Sequence, residues 1–168
     1  LVERREHLNP DPAQGEARQI AILLRARTIV LATGALARPL VFSNNDRPGV
    51  MLASAVSTCI RRYAVRPGQK AVVFTNNDSA YQAALDLHDA GAAVVAVVDC
   101  RPGGAGEIGS AVEQRGIPIL KGSFVIDVQG RTQVKGVSIA SWNGDAAGEV
   151  KVERKLGCDL LAMSGGWN

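Results

Sequence analysis

A single stretch, residues 70–99, constrains the fold of this chain more than any other part of the sequence. An apolar run of strand length is followed by a polar turn, by a helical pattern and by a second apolar run that ends in Asp99. The helical pattern rests on residues that recur on one face, namely Ala80, Ala83, Ala84 and Leu87. This order of strand, tight turn, helix, strand and acid is the layout of a βαβ dinucleotide-binding unit.

The turn of this unit departs from the dinucleotide-binding fingerprint Gly-x-Gly-x-x-Gly/Ala, because the three positions hold Thr75, Asn77 and Ala80. The second glycine of the fingerprint lets a pyrophosphate approach the backbone, and here that position carries the side chain of Asn77. We therefore predict a βαβ unit that no longer grips a dinucleotide strongly. The alternative is a working site that uses Asn76, Asn77 and the helix N-terminus.

Other residues of this unit carry chemistry of their own. Asp99 lies where the fingerprint places the acid that binds a ribose 2′-hydroxyl, and the alternative is a solvated acid at a strand end. Asp78 or Ser79 is expected to cap the helix, because Ser79 lacks the Gly-x-Ser-x-Gly context of a nucleophile. His7 and His88 have no metal-ligand spacing. We therefore predict no catalytic residue and no metal site in this chain.

The sequence before the βαβ unit reads as a hairpin, a strand and a helix. Strands are expected at 1–7 and 19–24, on either side of a loop rich in proline. A short buried strand is predicted at 28–31, and a helix is predicted to begin near Val50 and to be ended by Arg66-Pro67-Gly68.

The sequence after the βαβ unit changes from helical to alternating periodicity. A helix is predicted at 107–115 and an extended segment at 118–120. Residues 122–156 alternate polar and apolar positions in three short segments, which is typical of an antiparallel meander, and an apolar strand follows at 158–163. The predicted fold class is α/β, with a Rossmann-like βαβ unit in a parallel sheet and a three-stranded antiparallel meander.

Composition excludes several classes of function. The net charge of +3 is small and the basic residues are scattered, so no nucleic-acid surface is expected. No apolar run approaches the roughly 20 residues that span a membrane, and the N-terminus does not resemble a signal peptide. The isolated cysteines Cys59, Cys100 and Cys158 fit reduced thiols in a cytoplasmic protein. The chain begins without Met and stops after a glycine pair and two residues, so we expect a piece of a longer polypeptide.

Two small-residue turns connect these patterns to a known class of proteins. The runs TIVLATGA and CDLLAMSGG stop at Ala32-Thr33-Gly34 and at Ser164-Gly165-Gly166. This arrangement resembles the second nucleotide-binding domain of the glutathione and thioredoxin reductase class, in which such turns mark crossings between the FAD and NAD(P) domains. The resemblance implies a hairpin and crossing strand of the FAD-like domain at 1–34, an NAD(P)-binding-like domain at 35–157 with its meander at 122–156, and a return crossing strand at 158–168.

Three segments resemble the alpha subunit of heterotetrameric sarcosine oxidase, namely RPLVFSNNDRPGVMLASAV, AVVFTNNDSAYQAALDL and CDLLAMSGGWN. In that family, sarcosine is oxidatively demethylated at an FAD of the beta subunit to give glycine and formaldehyde. Electrons pass to an FMN at the boundary of the alpha and beta subunits and then to oxygen, giving hydrogen peroxide. The resemblance implies NAD bound by the alpha subunit, a beta subunit and other subunits as partners, and tetrahydrofolate bound through a C-terminal region that this chain does not include.

The resemblance and the βαβ pattern together give the expected cofactor-binding residues. The crossing turns supply Thr33, Gly34, Gly165, Gly166 and Trp167, and the βαβ unit supplies Thr75, Asn77 and Asp99. Two other interpretations remain open. Alpha subunits of dye-linked proline dehydrogenase and of opine oxidase resemble this architecture, and there too a partner flavin subunit oxidises the amine. The degenerate turn also fits a structural and interaction module that binds no ligand.

Overall fold

The computed structural model of the chain describes residues 2–5, 19–141 and 152–168. The chain divides into two compact units, Leu1–Gly34 and Ala35–Asn168. In the first unit, β1 (Val2–Arg5) pairs with β2 (Gln19–Ile22) in antiparallel register, with Val2 opposite Ile22. This pairing is the hairpin that the sequence predicts.

The prediction of a strand at 28–31 is wrong. These residues form no strand, and the side chains of Ile29, Val30 and Leu31 are all exposed. A buried strand needs neighbours that complete its backbone hydrogen bonds. Among the residues that the structure describes, no strand pairs with this run.

The exposed run predicts self-association of the isolated chain. Three large apolar side chains in a row, Ile29, Val30 and Leu31, are 76%, 83% and 83% exposed, and contiguous apolar surface of this kind drives association. We expect the average mass in sedimentation equilibrium to rise with concentration. The variant Ile29→Glu/Leu31→Glu should reduce that rise. A mass that stays at the monomer value over a hundredfold range of concentration would count against this expectation.

The second unit contains a parallel sheet, three helices and a small antiparallel sheet. In chain order, its described elements are β3 (Val50–Leu52), α1 (Ala53–Tyr63), β4 (Lys70–Thr75), α2 (Ser79–Asp89), β5 (Ala93–Asp99), α3 (Glu107–Gln114), β6 (Ile119–Lys121), β7 (Ser123–Gln129), β8 (Gly136–Ser141), β9 (Arg154–Gly157) and β10 (Leu160–Ser164).

The parallel sheet has the strand order β3-β10-β4-β5-β6. The central strands β4 and β10 are buried over nearly their whole length, as expected for strands covered on both faces. The predicted α/β class is confirmed, and both strands of the predicted βαβ unit lie in the sheet together with the apolar strand predicted at 158–163. The helix predicted from Val50 begins at Ala53 instead, because Val50 pairs with Leu161 and residues 50–52 form the edge strand β3.

The two faces of the sheet bury different partners. The three helices cover one face, where Val56 of α1, Leu87 of α2 and Val112 of α3 join a core with side chains such as Val73 and Leu160. The antiparallel sheet β7-β8-β9 covers the other face, and its apolar side chains pack with those of Val72, Phe74, Val98 and Leu161. The predicted meander is present, although its residues 142–151 lie outside the described residues.

Candidate functional site

The carboxyl ends of three adjacent strands bring together most of the residues expected in the site. The strands β10, β4 and β5 lie side by side, with Ser164 opposite Thr75 and Thr75 opposite Asp99. Ligands of open α/β sheets bind in the crevice outside the carboxyl ends of the strands. The geometry of these strand ends therefore decides what this edge can bind.

The turn after β4 is held by the hydroxyl of Thr75, which is buried. The Oγ1 atom of Thr75 accepts a hydrogen bond from the backbone N–H of Asn77 at 3.0 Å and donates to the carbonyl of Asn77 at 2.8 Å. A glycine at the first fingerprint position would leave both backbone groups of Asn77 available. Here a side chain fixes the turn from inside.

The side chain of Asn77 fills the space between the turn and the end of β10. Its Nδ2 atom donates to the carbonyl of Ser164 at 3.2 Å and to the Ser164 hydroxyl at 3.0 Å. Its Oδ1 atom accepts from the backbone N–H of Ser79 at 3.1 Å and from the Ser79 hydroxyl at 2.5 Å. The amide of Asn77 thus satisfies polar groups on both sides of the position where a pyrophosphate would pass.

The first turn of α2 is therefore capped from within the chain. Backbone N–H groups at a helix N-terminus are the groups that bind phosphate in dinucleotide sites. Neither Asp78 nor Ser79 supplies the cap, because Asp78 makes no side-chain bond of this kind and the N–H of Ser79 is itself the donor. The prediction that Asp78 or Ser79 caps the helix is wrong by one or two residues. The cap is Asn77, whose Oδ1 atom accepts from the N–H of Ser79.

Asp99 lies at the end of β5 with its carboxylate buried. The hydroxyl of Tyr81 donates to Oδ2 at 2.8 Å, and the backbone N–H of Arg101 donates to Oδ1 at 2.9 Å. The guanidinium of Arg101 adds contacts to both oxygens, at 3.1 Å from Nε and 2.8 Å from Nη2. The solvated acid considered for this position is wrong, since Asp99 is 0% exposed. Its binding of a ribose stays a prediction.

Arg101 also reaches across to the start of α2. Its Nη2 atom lies 2.7 Å from Oδ1 of Asp78, so a single guanidinium bridges Asp78 and Asp99. Burial acts to raise the pKa of Asp99, but the hydrogen bonds from Arg101 and Tyr81 outweigh it and leave the pKa below its usual value. Burial, and then the bond to Asp99, raise the pKa of the Tyr81 hydroxyl. The group is an ionised carboxylate with its donors supplied internally.

The crossing segment at 36–38 pairs with the end of the chain. The N–H of Arg38 donates to the carbonyl of Gly166 at 2.9 Å, and the N–H of Gly165 donates back to Arg38 at 2.8 Å. Leu36 and Asn168 exchange a further pair of bonds, at 3.1 and 3.0 Å. Gly165 has no room for a side chain, because a Cβ atom there would lie 2.9 Å from the carbonyl oxygen of Pro39 and 3.1 Å from that of Arg38. This pairing fixes Gly166 at the end of β10, near the amide of Asn77.

The expected site residues are therefore placed in two groups. Thr75, Asn77, Asp99, Gly165, Gly166 and Trp167 belong to the unit Ala35–Asn168, at the carboxyl edge of the sheet or directly after it. Thr33 and Gly34 belong to the unit Leu1–Gly34, where both are exposed and Gly34 has a φ of +75°.

An apolar cleft of about 760 Å³ opens at the same edge, between the sheet and the meander. Phe42, Phe74 and Phe124 line it together with Asn76 and Cys100, and no described charged side chain does so. The rings of Phe42 and Phe74 meet edge to face, with centroids 5.7 Å apart. Burial, and then the charge of Asp99, raise the pKa of Cys100 to about 11, so the cleft offers no thiolate at neutral pH.

Neither a metal-binding cluster nor a membrane-spanning helix is found among the described residues. They contain no group of three or more His, Cys, Asp or Glu side chains that could hold a metal ion. None of the described helices is long and apolar enough to cross a membrane.

Comparison with known proteins gives the relationship. No family model matches the chain. Over 170 residues it is 40% identical to the sarcosine oxidase subunit alpha of Corynebacterium sp. (strain P-1), covering 99% of this chain and 17% of that protein. Over 140 residues it is 38% identical to the subunit of the same name from Rhizobium meliloti (strain 1021), covering 83% of this chain and 13% of that protein. The chain is a relative of the sarcosine oxidase alpha subunit.

Superposition on solved structures identifies the fold of this relative of the alpha subunit. A thioredoxin reductase of T. acidophilum superposes with a TM-score of 0.59 at 17% identity, covering 80% of this chain and 42% of that one. An NAD-dependent persulfide reductase of A. fulgidus superposes with a TM-score of 0.55 at 14% identity, covering 80% of this chain and 25% of that one. At such identities the likeness establishes the fold alone. The resemblance to the thioredoxin reductase fold is confirmed.

Sequence reasoning missed three of the residues that close this site. Tyr81 appears in the sequence as one more side chain on α2, Arg101 as a loop residue and Ser164 as part of a small-residue turn. One signal was available for Arg101, because a basic residue two positions after a buried strand-end acid can fold back onto it. Tyr81 and Ser164 carry no such signal, since they meet their partners from 18 and 87 residues away in the sequence.

The buried acids of this alpha-subunit relative predict acid sensitivity. Asp99 and Asp86, which is paired with Arg61 at 2.7 Å, both have lowered pKa values in the folded chain. Their stabilising effect is therefore complete above the unfolded pKa of about 3.9 and is lost as the pH falls through the folded pKa. We expect the urea midpoint to hold from pH 7 to 5 and to fall below pH 4.

The variants Asp99→Asn and Asp86→Asn separate these two acids from the other carboxylates. Each variant should be less stable than the unmodified chain at pH 7 and should lose less stability on acidification. Urea midpoints of all three proteins, measured at the same set of pH values, give the comparison. Parallel pH profiles for the unmodified chain and both variants would show that neither acid carries the effect.

Proposed function

We propose that this chain is the NAD-domain-like part of a sarcosine oxidase alpha subunit, and that it acts there as a nucleotide-domain and subunit scaffold. The names of its relatives support the assignment to a sarcosine oxidase alpha subunit, and the contacts of Asn77 support the scaffold role. A tightly held NAD does not fit the residues present, because the amide of Asn77 occupies the pyrophosphate position. Any NAD of the alpha subunit is then held mainly by parts of the subunit outside this chain.

The reaction that we propose for the complete enzyme complex is the oxidative demethylation of sarcosine. Sarcosine, oxygen and water give glycine, formaldehyde and hydrogen peroxide, so two electrons leave the N-methyl carbon and reach oxygen. FAD and FMN of the complex supply the electron transfer. This chain contributes no catalytic group to it. Its proposed partners are a beta subunit and the other subunits of a cytoplasmic hetero-oligomer, with tetrahydrofolate bound through another region.

Turnover by the complete enzyme complex that contains this alpha subunit tests whether sarcosine is its substrate. We expect sarcosine to be oxidised with formation of equal amounts of formaldehyde and hydrogen peroxide. Proline and opines are the alternative substrates to assay, because the alpha subunits of dye-linked proline dehydrogenase and of opine oxidase resemble this architecture. Turnover of proline or of an opine without turnover of sarcosine would overturn the proposed reaction and leave the scaffold role untouched.

The scaffold role predicts that removing two side chains restores affinity for a dinucleotide. The variant Thr75→Gly/Asn77→Gly frees the backbone of the turn and the N–H of Ser79, which now bond to those side chains. We expect NAD to bind at least tenfold more tightly, which is about 1.4 kcal/mol. Isothermal titration calorimetry of both proteins measures the change.

Asn76→Gly is the matched control, because it loosens the same turn by removing an exposed side chain that accepts from Asn77 Nδ2 at 2.9 Å, while Asn77 still occupies the pyrophosphate position. Its affinity for NAD should stay within about twofold of that of the unmodified chain. If the double variant binds no better than this control, the turn is not closed by Asn77 and the scaffold interpretation fails.

A further inference from the structure

Arg101 lies two residues after Asp99, the last residue of β5, and its guanidinium spans from the carboxylate of Asp99 to that of Asp78. Asp99 is the acid that a dinucleotide-binding unit turns toward the ribose 2′-hydroxyl. Arg101 therefore makes the contacts at Asp99 that a bound ribose would otherwise make.

The contacts of Asp99 differ in how easily they can be exchanged. The hydroxyl of Tyr81 and the backbone N–H of Arg101 are fixed by a buried ring and by the main chain. The side chain of Arg101 is 34% exposed, so its guanidinium can turn outward and be hydrated. Of the side chains that contact Asp99, the guanidinium is thus the one that a ligand can displace.

We propose that Arg101 is a specificity-determining residue that excludes the adenosine ribose by occupying the carboxylate of Asp99, where a second ion pair with Asp78 holds its guanidinium in place. This inference rests on the proposed function, because it concerns the same degenerate nucleotide site. It adds a second closure, which is independent of the first. Asn77 blocks the pyrophosphate position, and Arg101 blocks the position of the 2′-hydroxyl.

The test uses the 168-residue chain with the turn already opened by Thr75→Gly/Asn77→Gly. Arg101→Ala is added to this background, and NAD is titrated by calorimetry. We expect the affinity for NAD to rise about tenfold over that of the double variant. An NAD analogue that lacks the adenosine 2′-hydroxyl should gain less than twofold, because it has no hydroxyl to donate to Asp99. Adding Asp99→Asn should abolish the gain for NAD.

Arg61→Ala in the same background is the matched control. It removes the same charge from another ion pair with a buried aspartate, Asp86, on the helices that cover the sheet. The affinity for NAD should then stay within twofold of that of the double variant. An equal gain from both substitutions would mean that net charge, and not the position of Arg101, sets the affinity.

Arg101→Lys covers the case in which Arg101→Ala does not fold, as judged by circular dichroism and thermal unfolding. Lysine keeps a positive charge near Asp99, but its single ammonium does not reproduce the forked contacts of a guanidinium. We expect a gain of about threefold for NAD and none for the analogue. The inference is overturned if the folded variant shows no gain, or the same gain for NAD and for the analogue.

The same titrations separate this inference from the proposed function. If Thr75→Gly/Asn77→Gly gives no gain over the unmodified chain while Arg101→Ala gives a selective one, the closure by Asn77 is wrong and that by Arg101 stands. If the double variant gains affinity and Arg101→Ala adds nothing, the proposed function stands and the role of Arg101 is wrong.

Discussion

Replacing Gly165 by valine is expected to lower the free energy of unfolding by about 3 kcal/mol, the upper end of the usual cost of overpacking. A Cβ atom at this position would lie 2.9 Å from the carbonyl oxygen of Pro39 and 3.1 Å from that of Arg38. Both contacts are with backbone, so no side chain can move aside. The crossing segment must then separate from the end of β10, and the bonds between Arg38 and its two glycine partners are lost.

Urea denaturation at pH 7 measures this loss, and limited elastase digestion locates it. Cleavage after Ala37 should become faster in the valine variant, because the paired segment is freed. Gly103→Val is the matched control, since a Cβ atom there meets nothing within 4 Å. Its stability should stay within about 0.5 kcal/mol of that of the unmodified chain. Equal losses for the two variants would show that the crossing segment contributes little to stability.

The parts of the fold that follow from local periodicity were predictable. The strands β4 and β5 and the helix α2 appear in the sequence as two apolar runs and one apolar helical face, and the structure contains all three in that order. The meander appears as a change from helical to alternating periodicity after residue 121. In these cases each segment carries enough pattern to define its own structure.

The errors lie where partners decide the structure. Residues 50–52 continue the helical pattern of α1, but pairing with β10 makes them a strand. Residues 28–31 have the composition of a buried strand and no described partner, and they are exposed. A short apolar run takes its conformation from what packs against it, which the sequence of the run does not contain.

The candidate site shows the same division. The obstruction at Asn77 follows from the sequence, because any side chain at that fingerprint position intrudes on a pyrophosphate. How the site is closed does not follow, because Asn77 bonds to Ser164 and Asp99 bonds to Tyr81 through contacts between distant parts of the sequence. The structure turns a degenerate motif into a set of satisfied hydrogen bonds.

These satisfied bonds give the degenerate turn a physical reason to persist. A phosphate-binding turn without its ligand leaves backbone N–H groups and a strand-end carboxylate to water. In this chain the amide of Asn77 accepts from the backbone N–H of Ser79, and the guanidinium of Arg101 binds the carboxylate of Asp99. The edge of the sheet is therefore stable without a dinucleotide. A domain of this kind can serve as a scaffold within a larger subunit.

The affinity of the unmodified 168-residue chain for NAD tests this account most directly. With the pyrophosphate position filled by Asn77 and the ribose position filled by Arg101, few polar groups remain for the ligand. We expect calorimetric titration to give a dissociation constant on the order of a millimolar, which is roughly 4 kcal/mol of binding free energy. A micromolar dissociation constant for the unmodified chain would show that its side chains form a working cradle, and would contradict the account.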